Sequence, residues 1–315
     1  MNIQHIRDFY RQLRIQVYQE ATAPLTSSGP THIQNQDVFK TFVLDLANNA
    51  NLELFQSASP EARTALWHHL WTKNRYAGIR ASTATKEIRD IEPLFDNYAW
   101  FSESEWDLHA KGHHVIQAGS HVENFLNRQG PFEGKQTVGN IPKLKKIIHV
   151  ARDFKSFFDN YPDRPAIDFV TRDLDQSDIW LIHQQLQKNG YVGDLTTLHF
   201  MMDVGFQVIK PDLVISRLFL DWGWLHEAAD IPSDLTRADL VGEGKYGARY
   251  KYTGSRIYKP IIELSRQIVS GLDSKELEND IGWVSTNPMR EFDIFVVKAG
   301  QQPEPHFGLT RRLYP

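Results

Sequence analysis

The chain contains no cysteine and no long apolar run, and each absence narrows what the protein can be. Without a cysteine in its 315 residues, it forms no disulfide, which suits a reducing cytosol. No stretch approaches the roughly 20 apolar residues of a membrane-spanning helix, and residues 1–8 lack the apolar centre of a signal peptide. We therefore expect a cytoplasmic protein that makes no contact with a membrane.

Internal repeats, low-complexity segments and a strong excess of charge are also lacking. Hydrophobic residues make up 41% of the chain and charged residues 23%, with a net charge of −4. This is the composition of an ordinary globular protein. The length is sufficient for a substantial core in one large domain or two smaller ones.

Apolar residues recur at helical spacing along most of the chain. Ser59 and Pro60 are typical of an N-cap and a first helical residue, and residues 292–298 fit a helix or a strand. We therefore predict a mostly all-α fold with two interleaving regions, residues 1–135 and 136–315. The clearest apolar stripes are Ile3, Ile6, Tyr10, Leu13 and Val17; Leu66, Trp67, Leu70 and Trp71; Ile147, Val150, Ala151, Phe154, Phe157 and Phe158; Ile179, Ile182 and Leu186; and Ile215, Leu218, Phe219 and Trp222.

Two glycines and a carboxylate form the most informative pattern. Gly190-Tyr191-Val192-Gly193, which we call the glycine hairpin, precedes an apolar-periodic run, and Lys210-Pro211-Asp212 follows with the Asp 19 residues after Gly193. Backbone amides exposed at the start of a helix bind anions such as a DNA phosphate. A carboxylate near that phosphate can act on the nucleotide. The pattern therefore predicts a phosphate clamp with a catalytic acid.

This pattern resembles the helix-hairpin-helix DNA glycosylases, whose signature is a Gly-hydrophobic-Gly hairpin followed about twenty residues later by an essential Asp. Residues 177–205 are most similar to the 3-methyladenine DNA glycosylase I branch, and the likeness spans roughly residues 140 to 225. It implies a helix-hairpin-helix glycosylase-like bundle over 136–315, with residues 1–135 as an N-terminal helical extension.

The chain departs from the family pattern at the hairpin and in its cysteine content. Family hairpins usually open with Pro-Gly, whereas this one opens with Asn189-Gly190 and carries an extra residue between its glycines. Leu195 stands where members with lyase activity carry a lysine. Without cysteine, neither the iron–sulfur cluster nor the cysteine-ligated zinc of some members can form. We therefore expect a monofunctional enzyme without a cofactor or a bound metal.

Asp212 is the candidate catalytic residue that the resemblance implies. Cleaving the bond from sugar to base builds positive charge on the sugar. An ionised carboxylate can stabilise that charge and orient the attacking water. Pro211 favours a helix start at this point, so Asp212 would face the positive end of the helix dipole. The simpler interpretation is that Asp212 only caps the helix.

The expected partner is double-stranded DNA, bound by a monomer. Residues 245–259 contain five basic residues, four tyrosines and no acid, and such a basic stretch binds phosphates even when the net charge is slightly negative. The predicted phosphate contacts are Gly190, Val192, Gly193, Lys210, Lys245, Arg249 and Lys251.

A glycosylase must flip its target base out of the duplex and hold it in a pocket. Aromatic side chains that could stack on that base are Tyr98, Trp100 and Trp222, although most aromatic residues in any chain belong to the core. Excision of a common lesion would mean DNA repair, and excision of a hypermodified base of invading DNA would mean antiviral defence.

Two other functions fit the sequence. One is a non-catalytic DNA-binding protein that uses the hairpin and the 245–259 segment. The other is a metal-dependent hydrolase built on residues 103–123, where His109, His113, His114 and His121 lie among acidic residues. Imidazole and carboxylate groups ligate metals, but no His-Glu-x-x-His zinc signature is present.

Overall fold

The structure is a computed structural model that describes residues 2–20, 36–76, 106–108, 114–116, 129, 133, 141–188, 193–227 and 230–301. Within these residues the chain is mostly helical, which confirms the predicted mostly all-α class. The α-helices are α1 (Ile3–Glu20), α2 (Gln36–Asn49), α3 (Pro60–Tyr76), α4 (Ile141–Asn160), α5 (Asp168–Thr171), α6 (Ile179–Lys188), α7 (Asp194–Val204), α8 (Leu213–Asp221), α9 (Arg237–Val241), α10 (Ser255–Ser270), α11 (Ser274–Ile281) and α12 (Pro288–Gln301). Two 3-10 helices cover Leu52–Phe55 and Trp224–Glu227, and β1 (Trp106–Leu108) pairs antiparallel with β2 (His114–Ile116).

The chain divides into two compact units. The terminal unit comprises Met1–Asn51 and Met201–Pro315, and the central unit comprises Leu52–Phe200. The junction after Phe200 lies within α7. The expected boundary at 135/136 lies inside the central unit, whereas the terminal unit combines the two ends of the chain.

Helix α12 is the centre of the terminal unit, where it contacts α1, α2, α8 and α10. Its residues 292–298 are helical, which settles the choice between helix and strand. The Phe292 ring lies 4.7 Å from that of Tyr10 on α1, and the Phe295 ring lies 5.3 Å from that of Phe39 on α2. The buried aromatic face of α12 therefore joins the N-terminal helices to the C-terminal ones.

A buried ion pair reinforces this centre. Arg14 is fully buried, and its Nε donates to Glu291 at 2.6 Å. Its other two guanidinium nitrogens donate to the carbonyls of Leu277 and Trp283 at 2.5 and 2.7 Å. The second Glu291 oxygen accepts from the Ser285 amide at 2.8 Å. Buried charges are tolerated when their hydrogen-bonding groups are satisfied in this way.

The central unit is built on the packing of α3 against α4. Ser59 caps α3 as predicted, because its hydroxyl accepts from the Ala62 amide at 3.2 Å. The predicted stripes of both helices are buried, from Leu66 to Trp71 and from Ile147 to Phe158. Phe154 continues the core toward Phe169, with ring centroids 4.8 Å apart.

Two further details concern α10 and the membrane. Helix α10 begins at Ser255 and contains Pro260, which cannot donate the usual backbone hydrogen bond. In the part of the chain that the structure describes, no helix combines the length and the hydrophobicity of a membrane span.

Candidate functional site

Asp212 is the N-cap of α8. Its backbone is extended, with φ −71° and ψ −176°, and its Oδ1 accepts hydrogen bonds from the amides of Val214 at 2.9 Å and Ile215 at 3.1 Å. Pro211 before it is buried. These bonds fix the carboxylate at the positive end of the helix dipole, which favours a negative charge there.

One oxygen of Asp212 remains available. Its side chain is only half-buried, and both hydrogen bonds from the described residues go to Oδ1. No hydrogen bond from the described residues reaches Oδ2, so this oxygen can accept from a water molecule or face a developing positive charge. Capping and chemistry use different oxygens of the same group, so the two roles are compatible.

Helix α12 approaches α8 closely enough to bring a second carboxylate to this place. A Cβ atom added at Gly300 would lie 2.5 Å from Val214 Cγ1 and 2.7 Å from Leu218 Cδ1. Asp293, on the same helix, is 5% exposed. Its Oδ1 accepts from the Lys210 amide at 3.4 Å, and its Oδ2 accepts from Arg290 at 2.9 Å.

Arg290 links Asp293 to α7. Its Nη2 lies 3.3 Å from Asp203 Oδ1, and its Nη1 also contacts the Met202 sulfur at 3.2 Å. Two acids, Asp203 and Asp293, thus share one buried guanidinium, and the charge of a third acid, Asp212, acts on Asp293. We call these three residues with Arg290 the acid cluster.

The environment of Asp293 opposes its ionisation. Burial is the largest cause, and it raises the pKa of Asp293 to about 6 even though Arg290 acts to lower it. The negative charges of Asp212 and Asp203 raise it further, and the Lys210 amide lowers it. A carboxyl group with a pKa close to neutrality, beside a second carboxylate, is typical of functional sites.

The acid cluster was missed in the sequence beyond Asp212. One signal could have indicated it, because Asp293 interrupts the apolar run Phe292-Asp293-Ile294-Phe295 and Arg290 stands three residues earlier, on the same helix face. A polar residue within a buried stripe is informative in itself.

Only the last residue of the glycine hairpin is described. Gly190 and Val192 lie outside the described residues. Gly193 is exposed, and its carbonyl accepts from the Thr197 amide at 2.8 Å and the Thr197 hydroxyl at 3.1 Å, immediately before α7. An added Cβ would meet nothing within 4 Å, so open space adjoins this residue. Gly193 belongs to the central unit and Asp212 to the terminal unit.

The basic segment 245–259 presents cations of two kinds. Lys245 pairs with Asp234 at 3.0 Å and lies 4.6 Å from the centre of the Tyr246 ring, so its charge is partly compensated. Arg249 and Lys251 are exposed, and no described acidic side chain pairs with either. Lys210 contributes its backbone to the acid cluster. Arg249 and Lys251 are thus the better suited to contact phosphates.

The buried side chain of Asp239 binds the backbone on both sides of α9, close to these cations. Asp239 is 1% exposed and closes a capping box with Thr236 at the start of α9. Its other oxygen accepts from the Tyr246 amide at 2.5 Å. Burial acts to raise the pKa of Asp239, but the hydrogen bonds from Thr236 and Tyr246 outweigh it and hold the pKa below its usual value.

The predicted stacking residue Trp222 belongs to the core. Its side chain is 2% exposed, and its ring lies 5.1 Å from that of Phe9 and 4.6 Å from that of Trp224. Stacking on a base requires an open ring face, so the prediction of Trp222 as a pocket residue is corrected. Tyr98 and Trp100 lie outside the described residues.

A cleft of about 980 Å³ lies in the terminal unit. Trp224 and Tyr250, both buried, line its wall, Arg256 and Lys259 contribute positive charge from the start of α10, and Asp230 contributes an acid. The lining is therefore mixed in character, with its cations from the same basic segment as Arg249 and Lys251.

The predicted alternative metal site lies in residues 103–123. The side chains of His109, His113, His114 and His121 lie outside the described residues. Among the side chains that are described, no three His, Asp or Glu residues are arranged to hold a metal ion.

Comparisons with known proteins identify no relative. No model of a known protein family matches the sequence, and no curated protein or solved structure matches the chain.

Proposed function

We propose that the chain is a monofunctional DNA N-glycosylase that flips a damaged or modified base and hydrolyses its bond to the sugar. The observation that best supports this proposal is the arrangement of the Asp212 side chain. Two backbone amides donate to its Oδ1, no described hydrogen bond reaches its Oδ2, and the side chain is only half-buried.

The chemistry needs such a fixed negative charge. As the bond from sugar to base lengthens, positive charge develops on the sugar. A carboxylate positioned in advance stabilises this charge without having to reorganise. Its second oxygen can accept a proton from the attacking water. Asp212 would perform both tasks, and the product would be an abasic site.

Binding to DNA would rest on the exposed cations. Arg249 and Lys251 have no described acidic partner, and each phosphate contact adds affinity that decreases as salt rises. Gly193 and its hairpin would hold a further phosphate through backbone amides. On this proposal the chain acts as a monomer on double-stranded DNA in the cytoplasm.

The decisive experiment measures base release from a panel of modified-base duplexes by the wild type and by Asp212→Asn. Asparagine caps helices about as well as aspartate, so the variant keeps the fold while losing the charge. We expect at least a hundredfold loss of release, the magnitude typical of removing one electrostatic catalytic group.

Asp273→Asn is the matched control. Asp273 caps α11 in the same way, accepting from the amides of Lys275 and Glu276 at 2.7 and 3.2 Å. This variant should release the base at the wild-type rate. Equal losses in both variants would indicate a general effect of cap substitution and would contradict a catalytic role for Asp212.

One observation favours a second function, a non-catalytic DNA-binding protein. The two capping bonds alone give Asp212 a structural role. On this alternative the wild type binds duplex DNA with an affinity that decreases with salt, releases no base from any substrate, and binds equally well after Asp212→Asn.

A further inference from the structure

The segment that presents Asp212 is held from α12. The Asp212 amide donates to the Lys210 carbonyl at 2.7 Å, and the Lys210 amide donates to Asp293 at 3.4 Å. The backbone of one residue, Lys210, therefore connects the two carboxylates. Movement of Asp293 would be transmitted to the turn that sets the position of Asp212.

Asp293 is in turn fixed by Arg290. The guanidinium binds Asp293 at 2.9 Å and lies 3.3 Å from Asp203 at the end of α7. Arg290 is itself buried, with an exposure of 9%, and its Nε finds no acceptor among the described residues.

We propose that Asp293 is a positioning residue for Asp212, holding the Lys210–Asp212 turn and adding its negative charge to the site. This role rests on the proposed glycosylase function. Because a site with two negative charges stabilises a developing sugar cation better than a site with one, ionised Asp293 favours the reaction.

Several charged groups act on Asp293. Arg290 on its own helix favours its ionised form, whereas Asp212 before α8 and Asp203 on α7 disfavour it. Helix α1 faces α12 with Arg14, which pairs with Glu291. From α12 itself, Lys298 extends over the Phe42 ring of α2 at 5.4 Å.

The first test is kinetic. Asp293→Asn keeps the size and an oxygen acceptor for the Lys210 amide but carries no charge. We expect base release under saturating substrate to fall about tenfold to a hundredfold at pH 7.5, the effect of a small displacement of a reacting group, with little change in KM. Wild-type release should decrease as the pH falls through about 6, the pKa of Asp293, and this decrease should disappear in the variant.

Restoring the carboxylate is the matched control. Asp293→Glu should recover a decrease near the same pH, which a merely structural role would not produce. If the larger side chain prevents folding, the asparagine variant decides alone. An unchanged pH profile in Asp293→Asn would overturn the inference.

The second test does not depend on activity. In the full chain with ¹³C-labelled aspartate, the titration of Asp293 should move to lower pH in Asp212→Asn, because the Asp212 charge helps to raise it. Asp273→Asn should leave the titration unchanged. A titration of Asp293 that is unaffected by Asp212→Asn overturns the inference, whereas absence of base release by the wild type from every substrate contradicts the proposed function instead.

Discussion

Helix α12 carries two buried acids, two residues apart, that differ in how completely the protein satisfies them. Glu291 pairs with Arg14 at 2.6 Å and accepts from a buried amide with its second oxygen. Asp293 pairs with Arg290 at 2.9 Å, but its second oxygen has only a long contact of 3.4 Å, and two other acids lie close to it.

The comparison separates Arg14 and Glu291, a pair that stabilises the fold and that we call the framework pair, from Asp293, whose charge serves the proposed function. Around Arg14 every guanidinium nitrogen has an acceptor, whereas the Arg290 Nε has none among the described residues. The Arg14 pair joins α1, α11 and α12. The Asp293 site instead keeps a carboxyl group that resists ionisation, a feature that costs stability and is common where function requires it.

The largest expected effect is on the framework pair. Arg14→Met removes one partner and leaves Glu291 buried without its counter-charge. Breaking a buried pair in this way costs about 3–5 kcal/mol, so the midpoint of urea unfolding at pH 7.5 should fall markedly. An Arg14→Met variant as stable as the wild type would end the distinction between the two acids.

Asp293→Asn should change the free energy of unfolding in the opposite direction and make the protein more stable. The pKa of Asp293 is raised from 3.8 to about 6, so the folded protein binds this proton more tightly than the unfolded chain. Stability therefore decreases as the pH rises through this window. At pH 7.5 the variant should be more stable by about 3 kcal/mol, from the free energy that corresponds to a pKa shift of this size.

The pH dependence provides the check on that sign. At pH 3.5 both side chains are neutral in the folded protein, so urea unfolding should give nearly equal stabilities for the variant and the wild type. A variant that is less stable than the wild type at pH 7.5 would assign Asp293 to the framework, together with Glu291.

A third buried acid, Asp239, extends the comparison, and we expect its replacement to change the stability by a smaller amount. Its hydrogen bonds hold its pKa below the usual value, so its contribution to stability is present above pH 3.8, the ordinary value, and is lost as the pH falls through the folded pKa. Asp239→Asn replaces one acceptor oxygen by a donor and should cost about 1–3 kcal/mol at pH 7.5.

Asp173→Asn is a suitable control for Asp239. Asp173 is exposed, pairs with Arg164 and lies at φ 71°, where asparagine is also tolerated. We expect no measurable change in its thermal unfolding. A similar loss in the two variants would mean that burial is not what distinguishes these acids.

The sequence predicted the helices better than the site. Apolar stripes at helical spacing located α1, α3, α4, α6 and α8, and Ser59 marked the start of α3, because these signals depend on residues close together in the chain.

The site could not be predicted from apolar periodicity, because it depends on contacts between residues that are far apart in the chain. Asp212 stood out because proline and aspartate at a helix start form a local signal. Asp293 and Arg290 come from a helix about eighty residues later, which packs against α8 and binds the Lys210 amide through Asp293. Trp222 was ambiguous because an aromatic residue on an apolar face suits a pocket and a core equally well.

Two tryptophans that follow the C-terminal end of α8 provide an intrinsic spectroscopic probe. Trp222 and Trp224 are buried, with rings 4.6 Å apart and inclined by 53°, and their indole N–H groups meet no acceptor in the described part of the chain. Fixed aromatic packing gives a near-ultraviolet circular dichroism signal that vanishes when packing loosens. Helix α8 therefore lies between the candidate carboxylate and this indole pair, whose contribution to the aromatic signal reports loss of packing without any added label.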